Sequence, residues 1–151
     1  MNAEEAGSGR RSIDMARTTD RKDVTKREKE IALRFFELVG GGKPRDARSL
    51  FSSDCEHHNP YLPAGMDALL DSIAQVQHGD SPGMPGDAGL DVKHVLAEGD
   101  LVAVHINIQS KSDRSKGLRQ IHLFRFVGDK IVEYWDVTQL APETSNAYRM
   151  F

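Results

Sequence analysis

The hydrophobic positions change their spacing near the middle of the chain, from a helical period to a strand period. Apolar residues recur every three or four positions within residues 31–39 and again within 66–76, which predicts two amphipathic helices. Pro44 suits the first turn of a short helix between them. The first half of the chain therefore predicts three helices, with a brief strand at Cys55–His58 before a Pro-rich loop.

In the second half, apolar and polar residues alternate, which is the pattern of half-buried strands. Gly99-Asp100 and Gly128-Asp129 mark tight turns between neighbouring strands. The predicted strands are residues 90–98, 101–110, 118–127 and 131–137. Helices followed by strands favour an α+β domain, in which three N-terminal helices pack on one face of an antiparallel sheet.

The N-terminal segment has a different composition. Residues 1–23 contain no aromatic residue, no Leu and no Val, so they offer little apolar surface to bury. Thr25 and Glu28 have the spacing of a capping box, which predicts that the first helix begins there. We therefore expect a flexible tail at 1–23 and one domain at 24–151.

Charge and cysteine content exclude several classes of protein. Residues 28–151 carry thirteen basic and eighteen acidic side chains, so the domain is a poor partner for nucleic acid or anionic membranes. Cys55 is the only cysteine, which rules out an intrachain disulfide and fits a reducing compartment. No stretch resembles a signal peptide or a transmembrane helix. We expect a cytoplasmic protein.

Two polar residues stand out in the last two predicted strands. His122 shares a strand face with Gln120 and Phe124, and Asp136 shares one with Tyr134. A tight turn at Gly128-Asp129 pairs the His122 face with the opposite face of the last strand. One bulge near residues 127–130 brings His122 beside Asp136 instead. The sequence leaves both registers open.

Four segments resemble one family, the SnoaL-like polyketide cyclases, from about residue 26 to 151. They are QIHLFRFVGDKIVEYWDV at 120–137, HNPYLPAG at 58–65, VLAEGDLVAVH at 95–105 and PETSNAYRMF at 142–151. The last segment is similar to a subgroup known as predicted aldol-condensation enzymes. The resemblance implies the nuclear-transport-factor-like fold, a strongly curved sheet that forms a cone around an internal pocket, and a homodimer.

The resemblance also implies roles for particular residues. Asp136 corresponds to the family's acid–base residue, His122 to its pocket histidine, Gln120 to a neighbouring glutamine and Asn59 to the asparagine of its loop. Tyr134 departs from the family, which commonly has His there. Family members close a ring by an aldol reaction without metal or organic cofactor, so we expect none here.

An aldol reaction needs a base for the proton beside a carbonyl and a donor for the enolate oxygen. We expect Asp136 and His122 to be catalytic on a small hydrophobic substrate. The side chains expected to contact the substrate are Gln120, Asn59, His58, Tyr61, Phe124, Trp135 and His105.

Other interpretations remain open at this stage. Cys55, His57 and His58 suggest zinc, but no second ligand pair completes a tetrahedral site, so we expect no metal. The same pocket suits an isomerase, a dehydratase or an epoxide hydrolase, and a non-catalytic protein of this fold can bind a small ligand or dimerise. For the homodimer, the candidate interface residues are Ile106, Ile108, Ile121 and Leu123.

Overall fold

The computed structural model describes residues 8–77, 86–142, 144, 146 and 149, with side chains from residue 22 onward. Within these ranges the chain forms three helices and five strands. They are α1 Ser8–Gly40, a 3₁₀ helix Pro44–Leu50, β1 Phe51–His57, α2 Met66–Gln77, β2 Ala88–Glu98, β3 Leu101–Ser110, β4 Gly117–Val127 and β5 Lys130–Leu140. None of the described helices is long and apolar enough to cross a membrane.

The five strands form one open sheet in the order β1-β5-β4-β3-β2. β2 to β5 run antiparallel, as the alternating pattern predicts, and two of their connections are the Gly-Asp turns. β1 pairs with β5 in parallel, so the sheet is mixed and the expectation of a purely antiparallel sheet is wrong. β1 lies between the 3₁₀ helix and α2 in the chain, so the helices do not all precede the strands. The strong curvature of the sheet stays a prediction.

A bulge in β5 decides which residues face each other across the last hairpin. Phe126 pairs with Ile131, as a tight turn requires, but Arg125 pairs with Glu133, so Val132 is the extra residue. Beyond the bulge the register has moved by one, and His122 lies directly opposite Asp136. The predicted bulge is therefore present, in the strand after the turn and not at residues 127–130. It also places Ile131 in the core, not on the face of Glu133 as plain alternation predicts.

The core lies between the helices and the inner face of the sheet, which we define as the face of His122 and Asp136. Phe35 of α1 is 1% exposed, and its ring centroid lies 5.7 Å from Phe51 and 5.7 Å from Phe124. Tyr134 packs on the same cluster, 5.3 Å from Phe124. The two pairs of Phe35 are edge-to-face, an arrangement that adds to the free energy of burial. This cluster packs α1 against the inner face of the sheet.

Helix α1 begins well before the position that the sequence predicts. It starts at Ser8, so Thr25 and Glu28 lie inside the helix and do not form its N-terminal cap. The helix ends where Gly42 adopts a φ of 73°, which lets the Lys43 amide donate to the Leu38 carbonyl at 2.8 Å. The boundary between a tail at 1–23 and the domain stays a prediction.

Candidate active site

A cavity of about 550 Å³ lies between the inner face of the sheet, α1 and α2. This volume is in the range of small-molecule sites. Most of its wall is apolar and comes from both helices and the inner strands. Representative wall residues are Phe36, Val39, Leu69, Ile73, Leu90 and Ile108. The cavity therefore suits a hydrophobic molecule.

Most of the polar part of the wall comes from β4, β5 and the loop after β1. It contains Asn59, Gln120, His122, Tyr134, Asp136 and Thr138. Asp136 is the only side chain with a formal charge among the described residues that line the cavity. Since no Lys or Arg is among those residues, an anionic ligand would meet a repelling carboxylate without a compensating cation.

Asp136 is half-buried and held by the loop after β1. The Asn59 Nδ2 group donates to Asp136 Oδ1 at 3.1 Å and to Oδ2 at 3.2 Å. The Asn59 side-chain oxygen accepts from the Tyr61 amide at 3.0 Å, which fixes the orientation of the Asn59 amide. A carboxylate held in this way keeps further lone pairs available to a ligand in the cavity.

The loop itself is fixed by His57. Its Nδ1 accepts from the Asn59 backbone amide at 3.3 Å, and its Nε2 donates to the Pro63 carbonyl at 2.7 Å. The His58 amide donates to the Tyr134 carbonyl at 2.9 Å, which extends the pairing of β1 with β5. The sheet therefore sets the position of Asn59, and through it the position of Asp136.

His122 is only 5% exposed and packs edge-to-face on Phe36, with 4.9 Å between ring centroids. Its Nδ1 lies 2.6 Å from the Tyr134 hydroxyl and its Nε2 lies 3.2 Å from Gln120 Oε1. Burial lowers the pKa of His122 to about 3, so the ring is neutral at physiological pH. Both ring nitrogens have partners within the fold.

Two residues of the polar wall, Tyr134 and Thr138, are not among the site residues predicted from the sequence. Tyr134 is fully buried, and burial, followed by the charge of Asp136, raises the pKa of its hydroxyl. Thr138 is exposed and accepts from Gln120 Nε2 at 2.9 Å. Both lie two positions from Asp136 on the same strand face. The period of two could have identified them, since every second residue of β5 points the same way.

Three residues predicted to contact the substrate lie on the other, outer face of the sheet, away from the cavity. His58 stacks on Trp135 with 4.6 Å between ring centroids, and the Arg125 guanidinium lies 5.8 Å from the Trp135 ring. His105 stacks on His94 at 5.3 Å. Phe124 does lie on the inner face, but it is 0% exposed in the core and does not line the cavity.

Metal-binding groups occur on the outer face, away from the cavity. Glu56, His58 and Glu133 place one ligand atom each within 4.8 Å of one another. Glu133 also accepts from Arg125 Nε at 2.6 Å, and this cation opposes a metal ion at the cluster. Neither Cys55 nor His57 belongs to this cluster, and both ring nitrogens of His57 are hydrogen-bonded.

Comparison with known proteins gives one family and many similar folds. Residues 32–134 match the model of the SnoaL-like domain. No curated protein sequence matches the chain.

Among solved structures, a candidate ketosteroid isomerase from Kribbella flavida is 21% identical, with a TM-score of 0.60 over 80% of this chain and 83% of its own. A candidate SnoaL-like polyketide cyclase from Jannaschia sp. is 20% identical, with a TM-score of 0.59 over 77% and 88% of the two chains. An NTF2-like protein of unknown function from Mesorhizobium loti is 19% identical, with a TM-score of 0.57 over 76% and 93%.

At these identities the similarity is evidence for a shared fold, and it is not evidence for a shared activity. The family model spans more than half of the sequence, and the fold is similar to that of an NTF2-like structure. The chain therefore belongs to the SnoaL-like domain family.

Proposed function

We propose that the protein is a cofactor-independent enzyme that uses Asp136 as a base on a small, uncharged, hydrophobic carbonyl compound, in an aldol-type cyclisation or condensation. One observation carries the proposal: a half-buried carboxylate, held by Asn59, faces an apolar cavity of about 550 Å³. The names of two similar structures, a polyketide cyclase and a ketosteroid isomerase, are consistent with it.

The chemistry balances with the groups present. Asp136 takes the proton from the carbon beside the carbonyl, and the electron pair of that C–H bond moves into the carbonyl to form an enolate. The enolate carbon then attacks a second carbonyl of the substrate, which forms the new C–C bond and an alkoxide. The proton on Asp136 returns to that alkoxide, so the carboxylate is regenerated and no redox partner is needed.

The sequence predicts a catalytic role for His122, whereas in the structure its two ring nitrogens are hydrogen-bonded to Tyr134 and Gln120. We propose that it is a positioning residue for the polar wall.

The single free thiol, Cys55, suits a reducing compartment, and we propose that the protein is located in the cytoplasm.

The experiment measures deuterium uptake beside the carbonyl of simple ketones in D₂O, by proton NMR. Suitable probes are 2-tetralone and 2-decalone, which are apolar and need no knowledge of the natural substrate. The protein should accelerate exchange into at least one of them. Asp136→Asn should lower the rate by about 10²–10⁴-fold, the usual contribution of a general base. Asp54→Asn, which changes an exposed carboxylate outside the cavity wall, is the matched control and should keep the rate.

A non-catalytic binding protein is the second candidate. The observation in its favour is the buried His122, whose ring nitrogens are both hydrogen-bonded within the fold and not to a ligand site. Under this alternative the ketones bind, as ligand-induced NMR shifts of pocket residues would show, but the exchange rate equals that of the buffer.

A further inference from the structure

Four side chains of the cavity wall form a continuous chain of hydrogen bonds along β4 and β5. The Tyr134 hydroxyl lies 2.6 Å from His122 Nδ1, and His122 Nε2 lies 3.2 Å from Gln120 Oε1. Gln120 Nε2 donates to Thr138 Oγ1 at 2.9 Å. Each of the two middle residues, His122 and Gln120, accepts a hydrogen bond on one side and donates one on the other. All the donors in the series therefore point either toward Thr138 or toward Tyr134.

The orientation of the Gln120 amide indicates that the hydrogen bonds are donated from Tyr134 toward Thr138. Its Oε1 can only accept, so His122 Nε2 carries the ring proton and Nδ1 accepts from the Tyr134 hydroxyl. In this direction the proton of Tyr134 is used inside the chain. The proton that remains unused belongs to the hydroxyl of Thr138, because Thr138 Oγ1 accepts from Gln120.

Burial favours the same direction. Tyr134 is 1% exposed, and His122 Nδ1 is its hydroxyl's one hydrogen-bond partner among the described residues. If His122 Nδ1 carried the proton, the Tyr134 hydroxyl would lose this acceptor for its own proton, and an unpaired donor at a buried position is unfavourable. Thr138 is exposed, so its free hydroxyl proton meets water or a ligand at no such cost. The unused donor therefore lies at the open end of the chain.

That open end lies close to Asp136. Thr138 and Asp136 are two positions apart on β5, and both line the cavity. Residues at this spacing on a strand face lie roughly 6–7 Å apart. An enolising ketone needs its base at the α-carbon and its donor at the neighbouring oxygen. This separation accommodates both contacts.

We propose that the Thr138 hydroxyl donates to the developing enolate oxygen while Asp136 removes the proton, and that Tyr134 is the positioning residue that directs the chain toward Thr138. The inference rests on the proposed function. Thr138 donates a hydrogen bond and keeps its proton, so the proton balance between substrate and Asp136 is unchanged. The preorganised donor lowers the energy of the charge that develops on oxygen.

The test compares Thr138→Val with Thr138→Ser in the exchange assay with 2-tetralone. Valine keeps the shape and removes the donor, so kcat should fall about 10²-fold, near the lower end for loss of an oxyanion donor, with little change in KM. Serine keeps the hydroxyl and should retain most of the rate. Equal rates for wild type and Thr138→Val overturn the inference while leaving the base in place. No exchange by the wild type is a failure of the proposed function instead.

A second measurement tests the direction of the chain without any activity. The ¹⁵N chemical shifts of His122 distinguish a ring protonated at Nε2 from one protonated at Nδ1. We expect a neutral ring with its proton on Nε2 in the wild type. In Tyr134→Phe the donor to Nδ1 is gone, so the fraction of rings with the proton on Nδ1 should rise, and an unchanged tautomer would remove Tyr134 as the residue that directs the hydrogen bonds. A proton on Nδ1 in the wild type would reverse the chain and remove Thr138 as the donor.

Discussion

His122 and Asp136 face each other across β4 and β5, but their surroundings give them different chemistry. His122 is buried among aromatic rings and hydrogen-bonded at both nitrogens. Asp136 is half-buried and reaches the cavity, with one amide holding its two oxygens. A buried histidine with both nitrogens hydrogen-bonded stabilises the arrangement of the polar side chains around it. A carboxylate that is open to the cavity can exchange a proton with a bound ligand.

The buried His122 should make the protein less stable in mild acid. Its pKa is about 3 in the folded state against about 6.5 in the unfolded state, because burial penalises the charged ring. Its contribution to the free energy of unfolding is therefore complete above pH 6.5 and is lost as the pH falls below 6.5. Below that pH we expect a loss approaching ~1.4 kcal/mol per pH unit, measured by urea unfolding between pH 7 and 5. His122→Gln should lose this dependence, and an equal slope in the variant would contradict the assignment.

At the scale of the element, alternation and turn residues in the sequence locate β2 to β5 well. Their predicted bounds differ from the structure by only a few residues. The sequence suggests that a bulge is possible but does not give its position at Val132, because a single extra residue changes an alternating pattern very little. That one residue decides the faces of Ile131 and Asp136 and hence the composition of the site. The outward positions of Trp135 and His58 could not be fixed for the same reason.

A buried carboxyl group in helix α1, that of Glu28, also affects the stability of the protein. This side chain is 5% exposed, and its Oε2 has no hydrogen-bond partner among the described residues. Burial, followed by the charge of Asp100, raises its pKa. The folded state therefore favours the protonated form, so the stabilising contribution of Glu28 is present below pH 4.5 and is lost as the pH rises.

Glu28→Gln should accordingly raise the melting temperature at pH 7, since it removes a buried charge that has no ion-pair partner among the described side chains. The gain should shrink toward pH 4, where Glu28 is largely protonated. Glu30→Gln, at an exposed position of the same helix, is the control and should change little at either pH. A lower melting temperature for Glu28→Gln at pH 7 would show that the charged form has a partner that stabilises it.

At the scale of the whole molecule, the outer face of the sheet presents apolar side chains to solvent. Val137 is 70% exposed, Leu96 is 68% exposed and Ile121 is 54% exposed. Ile121 and Val137 are direct neighbours across β4 and β5. Ile106 and Ile108, which were predicted to join this surface, lie on the inner face instead and line the cavity. Apolar surface that spans several strands in this way is typical of protein interfaces.

We expect this face to pair with a second copy of the chain, because a two-fold axis can join one apolar patch to itself. Sedimentation equilibrium at micromolar concentration should give about twice the 16.8 kDa of one chain. Ile121→Glu should dissociate the dimer, since it places a charge in the patch, and Asp54→Asn is the neutral control. A wild-type mass near that of one chain would remove the proposed interface.

The position of a bound ketone in the cavity tests the central claim most directly. A crystal structure of Asp136→Asn with 2-tetralone holds the ligand without turnover. The account predicts that an α-carbon lies within about 3–3.5 Å of the side chain at position 136, the distance of a reactive arrangement. It also predicts that the ketone oxygen points toward Thr138. A ketone bound on the outer face, or in the cavity with both α-carbons far from position 136, would contradict the assignment of Asp136 as the base.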